Sequence, residues 1–287
     1  MINEMHFQRL RDLGHFEGAK RRDPRLSGPR LGEPSGKERL ENPKAYSGNH
    51  FAMEVLPPLG LTFDSLRTSC LQFKRPALDV GASVSTVAAE GALRGIEIHS
   101  TELPPIRNRE RFIESIRNRL LQLGEVYQAS RIFPKGFECE AVSSEVWESR
   151  VHAAISRVNE TLVECAAGQI LGLDYKRAPD QSYSTVFSHH GVPKYCSTES
   201  FFERELPELL RVAADRVHLF PLRSAGPDDE ILHREHSQNY RRMSEIANAA
   251  GFSFQTHRAT HLVVDPEMPP PQPGFETTAI FIRQMKS

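Results

Sequence analysis

The sequence predicts an α/β domain built on a mainly parallel sheet, and three observations predict it. From residue 51 onward, short apolar runs alternate with amphipathic helical stretches, the pattern of strands joined by helical crossovers. The run LDVGASVST, residues 78–86, passes from a buried strand through Gly81 into small residues that open a helix. Proline rules out helix in DPEMPPPQPG, residues 265–274, so the strands on either side of it form an antiparallel hairpin that closes the sheet.

The chain has 287 residues, of which 39% are hydrophobic and 25% charged, the balance of a soluble protein with a full core. With 36 basic and 37 acidic residues there is no global field to draw in nucleic acid or an anionic membrane, and neither is expected as a partner. Cys70, Cys139, Cys165 and Cys196 form no CxxC pair, and charge punctuates the opening MINEMHFQRLRDLGHF, so a reducing cytoplasmic setting is expected. No apolar run reaches the ~18 residues of a membrane span.

Residues 1–50 read as an N-terminal extension, largely disordered. Ile2, Met5, Leu10 and Leu13 have helical spacing, but residues 17–50 accumulate Gly, Pro, Ser and both charge signs with few apolar side chains. The cluster Lys20, Arg21, Arg22 and Arg25 reads as a solvated segment. Residues 51–287 form the domain.

Within it, PALDVG is a strand, STVAAEGALR a helix and GIEIHS a second strand. The stretch 106–130 is a long helix with Phe112, Ile116, Leu120, Leu123 and Val126 on one face, and 143–166 is a second, with Val151, Ile155, Val158, Leu162 and Cys165. Both exceed what a strand connection needs, which predicts a helical insertion, as an added layer or lid, before the third strand, GQILGLDY. Then come the strand SYSTVFSHHG, the helix TESFFERELPELLRVAA, the strand DRVHLFPL, a helix around NYRRMSEIANAAG, and the strands FSFQTHRATHLVV and TTAIFIRQ.

A strand ending at Asp79 and Gly81 before a helix offers a tight turn, with free N–H groups at the helix start for a polar ligand. Ser83 and Thr86 stand where a dinucleotide-binding GxGxxG has its other glycines, which is poor for a pyrophosphate and suits a cofactor without phosphates. Glu97, read as ending the second strand, can accept hydrogen bonds from two ribose hydroxyls. The alternative is a solvated carboxylate.

DVGASVST resembles the first motif, Asp/Glu-x-Gly-x-Gly, of the class I S-adenosylmethionine-dependent methyltransferases, and GIEIHS resembles their second strand, GVD. PDQSYSTVFSH resembles the run PDGSFDLVLSSH entering their fourth strand, and FFERELPELLRV the helix after it. DRVHLFPL and GFETTAIFIR resemble the fifth and closing strands of a bacterial, type 11-like branch. The resemblance covers roughly residues 70 to 285.

It implies a Rossmann-like, seven-stranded, mostly parallel sheet with the last strand antiparallel, and S-adenosylmethionine across the strand ends. It also implies that Asp79, Gly81, Ser83, Glu97, Asp174, Tyr175 and Ser188 bind the cofactor. His189 is the expected proton acceptor for a small or medium-sized metabolite methylated at O or N, with His190 and Tyr195 walling the acceptor pocket; the alternative is a histidine that only satisfies backbone groups. Three departures stand out: Ser83 replaces the second glycine, Ser184 replaces an aspartate that opens the fourth strand, and Gly172 occupies the usual adenine-side carboxylate position. A non-catalytic relative serving as an interaction scaffold is the alternative function, and a nicotinamide-dependent oxidoreductase lacks its phosphate-binding glycines. No metal is expected, since His233, His236, His257 and His261 have no convincing companion ligands.

Overall fold

The computed structural model describes residues 51–82, 85–101, 109–130, 143–161, 178–189, 191–192, 198–222, 230–258 and 277–284. The extension 1–50 and the expected strand GQILGLDY lie outside them. Helix α1 (Ala52–Val55) leads into α2 (Phe63–Phe73), and β1 (Ala77–Asp79) is followed by α3 (Val87–Leu93) and β2 (Ile98–Ser100). The long helices α4 (Arg109–Ser130) and α5 (Ser144–Thr161) precede β3 (Tyr183–His189). A helical stretch then runs through α6 (Thr198–Ser200), a π-helical turn (Phe201–Glu205) and α7 (Leu206–Val212) to β4 (Ala213–Leu222). Helix α8 (Glu230–Ala249), β5 (Phe252–Arg258) and β6 (Thr277–Arg283) complete the domain.

The described strands form one mixed sheet in the order β2-β1-β3-β4-β6-β5. Strands β2, β1, β3 and β4 are parallel, whereas β6 runs antiparallel between β4 and β5. The expected alternation and terminal hairpin are both present, and six strands are described. Strand β1 is buried along its whole length, as a central parallel strand must be, which explains its unbroken Ala-Leu-Asp-Val run.

Local chemistry sets the ends of α2 and α7. Thr62 and Ser65 cap α2 reciprocally, each hydroxyl accepting the other residue's N–H, and Lys74 in the left-handed region ends the helix two residues before Pro76. Pro207 has no N–H to donate one turn back, and the stretch before it is wound as a π turn, with Leu206 N–H reaching Phe201 O.

Register divides the core. On one face Ala77, Phe187 and Phe220 pack with residues 51–66 and with α3, α4 and α5; on the other Leu78, Val80, Val186, Val217 and Leu219 pack with α7 and α8. The insertion helices belong to the first core. Ile116, Leu120 and Leu123 of α4 meet Trp147, Val151, Ile155 and Val158 of α5 there, and the Trp147 indole donates to Leu120 O. They form a packed layer beside β2 rather than a detached lid.

Residues 57–61 lie as a strap over the same face. His218 Nδ1–H donates to Leu59 O at 2.8 Å, the Thr278 hydroxyl donates to Pro58 O, and Ala52 N–H donates to the buried Glu90 carboxylate at 2.9 Å. Burial, only partly offset by the Leu59 bond, pushes the His218 imidazole down to about 4 and leaves it neutral.

Candidate functional site

Strand β1 has β2 on one side and β3 on the other, so the order in which the chain winds across the sheet reverses between β1 and β3, all three strands being parallel. Open α/β sheets bind ligands at such a switch point, outside the carboxyl ends of the strands. Three segments meet here: the turn after Asp79, the end of β2 at Ser100 and Thr101, and the end of β3 at Ser188 and His189.

Asp79 is 1% exposed, and its Oδ2 is buried without a hydrogen-bond partner. Desolvation alone pushes its carboxyl up to about 8, so the group is protonated and neutral at pH 7. A buried carboxyl oxygen without a partner costs about 1–3 kcal/mol, and such atoms are rare unless they serve a site. It shares a sheet row with Ser100 on β2, Phe187 on β3 and His218 on β4, and paired residues of a parallel sheet project from the same face.

The turn beyond it is fixed from β2. Gly81 takes φ +69°, a conformation that favours glycine, and its N–H donates to Thr101 Oγ1 at 3.0 Å. Ala82 N–H donates to Thr101 O and Thr101 N–H to Asp79 O, both at 2.9 Å. Ser85 N–H returns to Ala82 O, and Val87 N–H to Ser85 Oγ. The free N–H groups expected around the turn are therefore engaged at Gly81, Ala82, Ser85 and Val87, so a pyrophosphate cradle is not available from them.

The turn is fixed equally from β3. The Ser188 hydroxyl donates to Val80 O at 2.8 Å and accepts Val192 N–H at 2.8 Å. Through its proton and a lone pair Ser188, the residue expected to bind cofactor, ties two loops together. Gly191 closes the join: a Cβ there would sit 2.6 Å from Ser188 Oγ, 2.8 Å from Val80 O and 3.4 Å from Gly81 Cα. Reading the sequence alone misses Thr101 and Gly191, whose only local signals are a hydroxyl after a strand and a glycine after a histidine pair.

The structure does not bring Glu97 to this site. Strand β2 begins at Ile98, paired with Ala77, and Ala77 N–H donates to Glu97 O at 3.0 Å. Glu97 therefore lies at the amino edge of the sheet, about 10 Å along the strand direction from the level of Ser100. Its carboxylate accepts from His99 Nε2 at 2.9 Å and pairs with Arg157 at 3.0 Å, and these partners, His99 first, hold it below its ordinary range. It is a half-exposed surface acid.

His189 projects from the same face as Asp79 and Phe187, two residues further toward the carboxyl edge, with its ring stacked on Phe220 at 5.2 Å and 16°. Ser184 is buried at the start of β3, where its hydroxyl donates to Pro76 O and meets Cys70 Sγ, a wholly structural set of partners. Ser83, Asp174, Tyr175, His190 and Tyr195 lie outside the described residues. Among the described residues no three His, Cys, Asp or Glu side chains gather as a metal set, and no helix is long and apolar enough to cross a membrane.

No protein-family model matches the chain, and no curated protein matches it in sequence. Among solved structures it is similar to magnesium protoporphyrin IX methyltransferase of Synechocystis with bound S-adenosylhomocysteine, at 12% identity and TM-score 0.39 over 77% of this chain and 82% of that one. It is also similar to a 16S rRNA (adenine(1408)-N(1))-methyltransferase of Catenulisporales acidiphilia, at 13% identity and TM-score 0.38 over 82% and 98%. A third is a Burkholderia thailandensis 1,6-didemethyltoxoflavin-N1-methyltransferase, at 14% and 0.36 over 77% and 76%. What the chain's own residues establish is a buried acid with one unpartnered oxygen at the switch point, beneath a turn locked from both neighbouring strands.

Proposed function

We propose that the chain is an S-adenosylmethionine-dependent methyltransferase acting on a small or medium-sized metabolite at an oxygen or nitrogen atom. The observation that carries the reading is the buried Asp79 carboxyl with its unpartnered Oδ2 at the carboxyl end of β1. A group in that position suits a cationic ligand, and the engaged N–H groups of the turn disfavour a phosphate. S-adenosylmethionine meets both conditions, having a sulfonium and an ammonium and no phosphate. The ordered motifs from residue 77 to residue 283 agree with it.

When bound, this cofactor supplies a methyl group already activated by its sulfonium. The chain's task is then positioning and exclusion of water, for which effective molarities of about 10⁵ M or more are attainable. Asp79 takes the cationic part, while Gly81 and Gly191 keep the β1 and β3 loops in close register. A carboxylate serving the ribose hydroxyls must follow the carboxyl end of β2, and the sequence supplies Glu102 directly after Thr101. Ser83, Asp174 and Tyr175 line the rest of the cofactor in this reading. His189 accepts the acceptor's proton where one must leave, with His190 and Tyr195 against the acceptor.

Calorimetric titration of the full chain with S-adenosylmethionine, S-adenosylhomocysteine and NAD tests the proposal. Micromolar affinity for the first two and none for NAD is expected. Binding of NAD alone points to a dinucleotide enzyme, and binding of none of the three favours an interaction scaffold.

A further inference from the structure

The Asp79 environment sets the site's response to protons. Its Oδ2 is buried, and among the described residues no hydroxyl, amide or cation bonds to it. Strand β2 contributes Ser100 and Thr101, and the Thr101 hydroxyl oxygen accepts the Gly81 N–H. Strand β3 contributes Phe187 in the same row, with His189 two residues on and stacked on Phe220. Beyond Phe187 the next titratable group in the row is His218 of β4, whose Nδ1–H is given to Leu59 O. On α3 the buried Glu90 carboxylate is satisfied by Ala52 N–H, the Thr86 hydroxyl and Arg94. Arg94 is paired with Glu90, and among the described residues no cation bonds to Asp79 Oδ2, so burial keeps the carboxyl neutral.

A cation seated against Oδ2 reverses that balance, because it stabilises the carboxylate and not the acid. Resting on the methyltransferase reading, we propose that binding a cationic ligand at this site expels the Asp79 proton to solvent, so that ligand capture is coupled to the release of one proton. The exchange balances: the neutral carboxyl and the cation become an ion pair, and the proton leaves to buffer. Two consequences follow. Below the free carboxyl's titration near pH 8, affinity rises about tenfold for each pH unit. Ligands of the same shape without the cation gain nothing from higher pH.

The test is calorimetric titration of the full chain with S-adenosylmethionine at pH 6, where the ligand's ammonium is itself fully protonated, in phosphate and in imidazole buffer. The difference between the two observed enthalpies gives the number of protons released. The expected number is close to one, with affinity rising about 30-fold between pH 5.5 and pH 7. Asp79→Asn is expected to release none if it still binds. S-adenosylhomocysteine separates the two cationic groups: release by both ligands assigns the partner of Asp79 to the ammonium, and release by S-adenosylmethionine alone assigns it to the sulfonium. Adenosine, which has neither, should release none.

Binding of S-adenosylmethionine with no proton released overturns the coupling while leaving the function intact. Release that persists in Asp79→Asn, or that accompanies adenosine, assigns the proton to another group and overturns it equally. Absence of any binding removes the functional reading and the coupling together. Should Asp79→Asn fail to bind, the proton count and pH dependence of the unaltered chain still decide.

Discussion

The Thr101 hydroxyl oxygen accepts the Gly81 N–H at 3.0 Å, while the Thr101 backbone bonds to Ala82 and Asp79 on either side of that glycine. One residue at the end of β2 thereby fixes the turn that ends β1. Thr101→Val keeps the shape and leaves a partly buried N–H unpaired, at a cost of about 1 kcal/mol in chemical denaturation. It should also weaken cofactor binding, whereas Thr101→Ser should retain both properties.

Gly191→Ala places a methyl 2.8 Å from Val80 O, a backbone atom that cannot move without moving the turn. The expected loss is about 1–3 kcal/mol of stability by denaturant titration, accompanied by weaker binding at the switch point. Full stability with full binding would show that the two loops are free to separate.

Asp79→Asn should act oppositely on stability and on binding. Folding raises this carboxyl from 3.8 to about 8, so between those values the folded chain holds a proton that the unfolded chain has lost. That contribution is complete below pH ~4 and declines as pH rises through 8. Asparagine has no such dependence, so the variant should gain on the unaltered chain by about 1 kcal/mol or more between pH 6 and pH 8.5 in urea unfolding. The same variant should lose at least tenfold in affinity for S-adenosylmethionine, at about 1.4 kcal/mol per decade. A variant less stable at pH 8.5 contradicts this picture of the buried acid.

Glu97 and Glu102 make a paired comparison. With its carboxylate committed to His99 and Arg157 at the amino edge, Glu97→Ala should leave cofactor affinity within about twofold and cost under about 1 kcal/mol. Glu102→Ala should weaken affinity about tenfold or more, the scale of a lost hydrogen bond to a charged group. The reverse order of effects would return Glu97 to the site.

If His189 accepts the acceptor's proton, His189→Ala should lower turnover about 10²- to 10⁴-fold on an acceptor that must lose a proton. Cofactor affinity should stay nearly constant by titration. An equal loss of both would make the ring, stacked on Phe220, a packing element of the β3 and β4 ends.

Much of this architecture is legible in the sequence because strands and amphipathic helices leave periodic traces. Ala77–Asp79, Tyr183–His189 and the closing hairpin strands stand out as apolar runs, and Gly81 marks its own turn. The placement of Glu97 fails because IEIHS reads equally well with the strand ending early or late, and only pairing of Ile98 with Ala77 fixes its level. Ser188 looks like a ligand contact because it ends a strand at the ligand edge, yet its partners Val80 and Val192 are set by tertiary geometry. The strap is illegible for the same reason: Leu59 and His218 meet across 159 residues of chain.

Parallel titrations of the unaltered chain and Asp79→Asn with S-adenosylmethionine at pH 7 test the central claim most directly. Micromolar binding by the first, weakened tenfold or more in a variant that remains folded, is the predicted result. Equal affinity in the two proteins, or no binding by the unaltered chain, contradicts it.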